Sequence, residues 1–480
     1  MQQIIKEFHR NYMFSNFRKR YIGDKGFYMA VIALIIPMIV QQGITQFVNL
    51  LDNVMVGRLG TNPMSGVAIV NQLIFIFNLT IFGGLSGASI FGAQFYGKGD
   101  EKGLRHSFRF RLLFGLGVTA LGLAVFLFFG DQLFHLYLNK ENSSPADIAA
   151  TLGYAKEYLL IMLWGLFPFM VMQVYSSALK DMRETFSPMM ASVISISVNL
   201  VLNYLLIFGS LGFPKMGVRG AALATVIARY VEMLYLVVYA TRRKKKFTFL
   251  QGAFKSMRVP LPLVKKITIT GMPLLLNETL WSMGTAMINM CYATRGLTAV
   301  AATNITGTAN NLFSIIMMTM GNAIGIMAGQ LLGANDIEGA KDTVRKVMFF
   351  SVSCCVVTGG LLVVCAPFIP YIYNTEEAVR QIAAQTLIIC GCFQPVHAFV
   401  NCAYFTIRSG GKTFITFLFD CAFTWVVCLP IAYSLSHFTA LSVVWVFFFV
   451  MSADIIKVVI GAFMLKSGIW AKNVVNDTAA

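Results

Sequence analysis

The chain has 480 residues, 57% of them hydrophobic and only 12% charged, with mean hydropathy +0.69 and a formal net charge of +17. Soluble domains carry about 25% charged residues, so a soluble enzyme or binding module is excluded. The short alternating segments of a transmembrane barrel are missing too, which leaves a polytopic, all-α membrane protein.

Residues 1–26 are polar and basic and hold no apolar core, so no cleavable signal peptide is expected. A span needs about 20 mostly apolar residues. The chain offers twelve, roughly at 27–55, 64–86, 108–130, 154–178, 187–208, 218–241, 264–291, 300–328, 345–368, 380–407, 413–434 and 438–465. Most of the 38 Lys and Arg fall at both ends of the chain and in the even-numbered connections. That bias places both termini in the cytoplasm of a multi-pass cell-membrane protein. The run Arg242 to Lys246, with Lys255, Arg258, Lys265 and Lys266, forms a basic linker over 242–263. It reads as a topology signal near lipid headgroups, not as a nucleic-acid site. The nine cysteines lie between Cys291 and Cys428, mostly in apolar stretches, and read as small packing residues, not disulfides or a metal site.

The first span carries the main signal. At 100° per residue, Gln41, Thr45, Asn49 and Asp52 share one side, and only Met38 and Val48 break that polar face. A charge facing lipid is costly, so Asp52 should face protein or water, and an ionisable group inside a span is a functional-site candidate. Pro37 removes a backbone bond in the same helix and offers a bend. Span four holds Pro168, Gln173 and Ser176. Span five carries Ser195, Asn199 and Asn203 on one stripe, and Thr225 of span six can reach the same place.

The chain then repeats itself. At one constant offset Pro37 matches Pro273, Gly60 matches Gly296, Gln94 matches Gln330, Gly97 matches Gly333, Asp100 matches Asp336 and Gly103 matches Gly339. The segments GAQFYGKGD and GQLLGAND are expected to be tight capped turns. They resemble no nucleotide-binding loop, lacking the G-K-[ST] ending and the preceding strand. Six spans per repeat make the halves parallel, related by a pseudo-two-fold axis along the membrane normal. The expected domains are a cytoplasmic segment 1–26, an N-lobe 27–241, the linker 242–263, a C-lobe 264–465 and a cytoplasmic tail 466–480. In the second half Ile288 stands where Asp52 stands, and Glu278 is the intramembrane acid. His397 follows Pro395, and Asp420 lies in span eleven. The couples Asp454–Lys457 and Arg229–Glu232, each spaced i, i+3, read as structural pairs. Arg229 and Lys457 are the buried-looking cations of the spans.

These residues resemble the multidrug and toxic compound extrusion (MATE) transporters over nearly the whole chain. The carriers are NLLDNVMVGRLG, GAQFYGKGD with its echo, SVNLVLNYLLIFG with FPKMGVRGAALAT, and IRSGGKT before FLFD. The likeness is greatest to the DinF-type branch. The resemblance implies two six-helix lobes around a central cavity. It also implies export of organic cations and other amphipaths against inward H+ or Na+, with no cofactor. Asp52 is then the ion-coupling acid, with Asn199, Asn203 and Thr225 beside it. Asp52 and Asn199 would be ligands if the ion is Na+. Some relatives carry a second aspartate where Asn203 stands. Glu278 and His397 are the candidate C-lobe coupling residues. Pro37, Gln41, Thr45, Gln173 and Ser176 would line the substrate cavity. The expected partners are small amphipathic or cationic molecules and the bilayer, with no nucleic acid, and the chain is expected to be a monomer.

Three other readings compete with this one. A lipid-linked oligosaccharide flippase of a related fold would need basic side chains to meet pyrophosphate. An enzyme would need a motif such as His-Glu-x-x-His or a serine elbow, which the chain lacks. A channel does not require the two-lobe repeat that alternating access uses.

Overall fold

The computed structural model describes residues 20–137 and 145–476. Most of the expected segment 1–26 and the last residues of the tail lie outside this set, as do the side chains of Asn49 and its neighbour Leu50. Among the described residues the secondary structure is helical, with no strand.

The first half contains α1 (Lys25–Gly57), α2 (Thr61–Lys98) and α3 (Glu101–Tyr137). Next come α4 (Pro145–Met162) and α5 (Leu166–Asp181), which a 3-10 turn at Leu163–Gly165 joins into one span, then α6 (Phe186–Phe208) and α7 (Val218–Arg242). The second half opens with α8 (Leu261–Ala293) and continues through α9 (Leu297–Phe313), α10 (Ile315–Gly333), α11 (Ile337–Cys365) and α12 (Glu377–Ser409). The short α13 (Thr413–Phe417) runs through π-helical stretches at Leu418–Ala422 and Thr424–Cys428 into α14 (Leu429–Phe438). The last span is α15 (Val443–Ser452) with α16 (Asp454–Ser467).

Among the described residues 11 helical segments are long and apolar enough to cross a membrane. The remaining expected span, α8, is 33 residues long. The paired Lys265 and Lys266 and the polar run Asn277–Glu278–Thr279 lower its hydropathy. Several helices outrun their apolar windows. GAQFYGK is the final stretch of α2, not part of the turn, which is confined to Gly99 and Asp100.

The repeat is visible in local geometry. Gly99 and its counterpart Asn335 both adopt left-handed backbone, with φ 73° and 63°. Asp100 then accepts from the Gly103 N–H at 2.9 Å, and Asp336 accepts from the Gly339 N–H at 2.8 Å. These are matching N-caps, so the expected capped turns are present in both halves.

The described residues form two compact units. One contains the start of α1 through Ile39, residues 93–99 and everything from Leu276 onward; the other contains Val40–Gly92 and Asp100–Leu275. Both α1 and α8 pass from one unit to the other two residues after their prolines, Pro37 and Pro273.

In the first-named unit, Val31, Leu34 and Ile35 of α1 pack with Ile324, Leu332, Val344, Val347 and Trp470. The ends of α2 and α10 also approach closely there. A methyl on Gly97 would overlap the Gln330 carbonyl, and one on Gly333 would overlap that of Gln94. The repeated glycines are therefore a reciprocal contact in which each allows the other helix's backbone to approach.

In the other unit, Leu166, Met170, Leu179 and Ala222 are fully buried. Arg111 forms a buried ion pair with Asp181, and Gly92 leaves the space for it. Arg109 donates to the carbonyls of Ala253, at 2.8 Å, and Gly252, at 2.7 Å, fixing the linker against α3. The sequence points to Arg229 and Lys457 as the buried cations; Lys457 is buried, but Arg229 is half-buried. Arg109, Arg111 and Arg408 are buried as well. They sit on turns at the span ends, where the helices extend beyond their apolar windows.

Candidate functional site

The polar face of α1 meets α6 and α7. Asn203 donates from Nδ2 to Asp52 Oδ1 at 2.6 Å and to Asn199 Oδ1 at 3.1 Å. Asn199 donates in turn to Thr225 Oγ1 at 3.3 Å, and Thr225 donates to the Ala221 carbonyl at 3.0 Å. Asp52 and the three residues expected beside it thus form one hydrogen-bonded chain. The i, i+4 spacing of Asn199 and Asn203 on α6 places both amides on the side that Asp52 approaches. Asn199 and Asn203 are buried at 5% and 2% exposure, while Asp52 is half-buried. Asn203 Oδ1 is buried and has no hydrogen-bond partner. Such an orphaned acceptor beside a carboxylate favours a cation or a donating proton. Ser195, third on the stripe, donates to the Ala228 carbonyl and stays out of the chain.

A second network begins a few turns back along α1. Gln41 donates to Ser192 Oγ at 2.7 Å, and Ser192 donates to Glu232 at 2.6 Å. Thr45 caps this arrangement by donating to the Gln41 carbonyl at 2.8 Å. Glu232 was read as the partner of Arg229, but the two make no ion-pair contact. Arg229 instead donates to the Gly165 carbonyl at 3.2 Å and lies 5.1 Å from the Phe169 ring centre. The i, i+3 spacing puts both on one face but does not fix where their long side chains reach. Met38 and Val48, the apolar exceptions on the polar face, are both buried, so that face packs against protein. Pro37 is also buried. Gln173 is half-buried and Ser176 buried on α5, and neither is hydrogen-bonded to Asp52.

The second half is built differently. Ile288, at the position equivalent to Asp52, is buried in an apolar cluster with Tyr292, Leu387 and Phe447. The charges lie elsewhere. His397 Nε2 is 3.1 Å from Asp454, and Lys457 Nζ lies 3.5 Å from Asp454 and 3.4 Å from Asp420. Asn277 donates to Asp420 at 3.1 Å and to the Tyr404 hydroxyl at 3.3 Å. The Asp454–Lys457 pair expected from spacing is present, and it is two members of a longer cluster. Glu278, half-buried on α8, is within reach of Arg408, Asp420 and Tyr404, so it adjoins the cluster at Asp420 and not at His397. The structure therefore does not bring the candidates Glu278 and His397 together. Asp420, Asn277 and Lys457 were missed as a group because they come from three separate spans, and no periodicity links separate spans. The one local signal was an acid inside an apolar run, FLFD. Asp420 lies in a π-helical stretch there, and such bulges are frequent at functional sites.

Fold and site together define the class: an all-helical, two-lobe membrane protein made of a repeated half, with a carboxylate held by a neutral amide inside one half. The MatE family model matches residues 37–205 and 273–434, more than half of the chain. The chain belongs to that family, the multidrug and toxic compound extrusion transporters. It is 24% identical over 445 residues, 93% of each chain, to a probable multidrug resistance protein NorM of Thermotoga maritima. It is 24% identical over 424 residues to a probable multidrug resistance protein YoeA of Bacillus subtilis, covering 86% and 88% of the two chains. Among solved structures it resembles a multidrug resistance MATE family transporter of the MOP superfamily in an outward-facing conformation. There the TM-score is 0.81 at 21% identity, over 94% of this chain and 97% of that one.

Proposed function

We propose that this protein is a secondary active multidrug antiporter of the cell membrane, with both termini cytoplasmic. It exports organic cations or amphipathic compounds by alternating access, in exchange for H+ or Na+ bound at Asp52. The observation that carries the reading is the chain Asp52–Asn203–Asn199–Thr225, one carboxylate among neutral donors and acceptors. No cation balances Asp52 in that chain, so binding a proton or Na+ adds the charge that makes burial favourable, and releasing it removes that charge. A proton needs only the carboxylate. Na+, a hard ion that prefers oxygen ligands, would also use Asn199 Oδ1 and the orphaned Asn203 Oδ1. A bound ion with different affinities in two states shifts the equilibrium between them.

A flippase for a pyrophosphate-linked lipid is the less favoured reading, because three of the cations it would use are engaged. Arg229 holds a carbonyl, Lys457 two carboxylates and Arg111 a third.

The test is efflux of ethidium, a probe cation, by full-length protein in vesicles under an imposed H+ or Na+ gradient. The parent should export under at least one gradient. Asp52→Asn, which preserves size but cannot ionise, should fold and lose gradient-driven export. Full export by a folded Asp52→Asn variant would refute the proposal.

A further inference from the structure

The charge cluster of the second half has the composition of a cation site with its cation already built in. Asp420 and Asp454 approach one ammonium, Lys457 Nζ, at 3.4 and 3.5 Å. Asn277 is 2% exposed. Its Nδ2 donates to the other oxygen of Asp420, and its Oδ1 is buried without a partner. In the first half Asn203 stands in the same relation to Asp52, with Nδ2 on the carboxylate and Oδ1 orphaned. The difference is that no ammonium reaches Asp52.

We propose that the Lys457 ammonium occupies the cation position of a second carboxylate site, formed by Asp420, Asp454 and Asn277. This half therefore takes no Na+ from solution. Two carboxylates that are largely withdrawn from water need a compensating positive charge. A lysine supplies the same single charge as Na+, on a stem that cannot diffuse away. Lys457 is 5% exposed and lies 5.1 Å from the Phe423 ring centre, so its head is held in place from the side as well. His397, 3.1 Å from Asp454, is the remaining basic group of the cluster. The antiporter then handles its exchanged ion in the first half alone. This consequence rests on the reading of Asp52 as the coupling acid, but the Lys457 assignment does not.

The experiment is binding of radioactive Na+ to the purified full chain in detergent, in an Asp52→Asn background so that only the second half is read. Asp52→Asn alone should show no saturable binding. Adding Lys457→Gln should create it, and adding Asp420→Asn as well should remove it again. Lys457→Arg, which keeps the charge, should leave the protein unable to bind Na+. The Lys457→Gln chain should also melt at a higher temperature in NaCl than in choline chloride of equal ionic strength, since an ion that binds only the folded state stabilises it.

A folded Lys457→Gln chain that binds no Na+ overturns the assignment. So does Na+ binding by Asp52→Asn alone that Asp420→Asn abolishes. If two uncompensated carboxylates prevent Lys457→Gln from folding, Lys457→Gln with Asp454→Asn leaves one carboxylate and the Asn277 oxygen. That chain should bind Na+, and its failure to do so counts equally against the proposal. Because Na+ binding is read without Asp52, loss of this inference leaves the export mechanism standing, and the reverse also holds.

Discussion

The two halves share a helix plan, turn caps and reciprocal glycine contacts, yet they treat a buried acid in opposite ways. In the first half Asp52 accepts from the Asn203 amide, which is linked in turn to Asn199 and Thr225, all neutral. In the second half Asp420 and Asp454 meet a lysine and a histidine, and the position equivalent to Asp52 is the buried Ile288. A repeated fold thus fixes the helix plan but neither where a buried acid sits nor what balances it. Neutral partners leave a carboxylate with a charge to exchange, whereas an ammonium partner cancels that charge permanently.

Moving the acid across should break the comparison most severely. Ile288→Asp puts a carboxylate into an apolar cluster that includes Tyr292, Leu387 and Phe447. An unpaired buried charge costs about 3–5 kcal/mol. A sharp fall in detergent melting temperature is expected, and no rescue of export when the change is combined with Asp52→Asn. Restored export in that double variant would mean the halves are interchangeable.

Glu278→Gln should reduce ethidium export less than Asp52→Asn does, because the groups Glu278 interacts with are Arg408, Asp420 and Tyr404, none of them in the Asp52 chain. An equal or greater loss would move the coupling group to the second half.

Asn203→Ala removes one neutral hydrogen bond to Asp52. Such a bond contributes about 0.5–1.5 kcal/mol, so export should weaken by roughly two- to tenfold and not vanish. Asn277→Ala should change export less, since Lys457 still holds Asp420. A reversed order of these two would show that the second half carries more of the ion coupling.

The smallest effect lies outside the spans, where the first half ties its basic linker to the turn before α6. Burial pushes the Glu184 carboxyl up, but the Lys246 ammonium, 2.6 Å away, and the Ser187 hydroxyl outweigh this and hold it below the ordinary glutamate range. A carboxyl lowered on folding adds stability that is present above its unfolded value of 4.5 and is lost as pH falls through the folded one. Lys246 is 60% exposed, so solvent screening keeps the contribution below about 1 kcal/mol. Melting of Glu184→Gln and the parent should differ slightly at neutral pH and converge in acid. A gap that persists in acid would assign Glu184 a role other than this ion pair.

The helical membrane class, the repeat, the capping aspartates and the Ser195–Asn199–Asn203 stripe were legible in the chain alone, while joining Asp52, Asn199, Asn203 and Thr225 into one group rested on the family resemblance. Each feature legible in the chain alone is written in local order. Hydrophobic length marks a span, a fixed offset marks a repeat, and i, i+4 spacing marks a face. Tertiary structure decided what depends on long side chains from separate helices. It separated Arg229 from Glu232, buried Arg111 against Asp181, and brought Asp420, in its π-helical stretch, to a lysine from another span. A flexible charged side chain reaches several ångströms in many directions, so its partner is chosen by packing, and spacing along one helix carries no record of that choice.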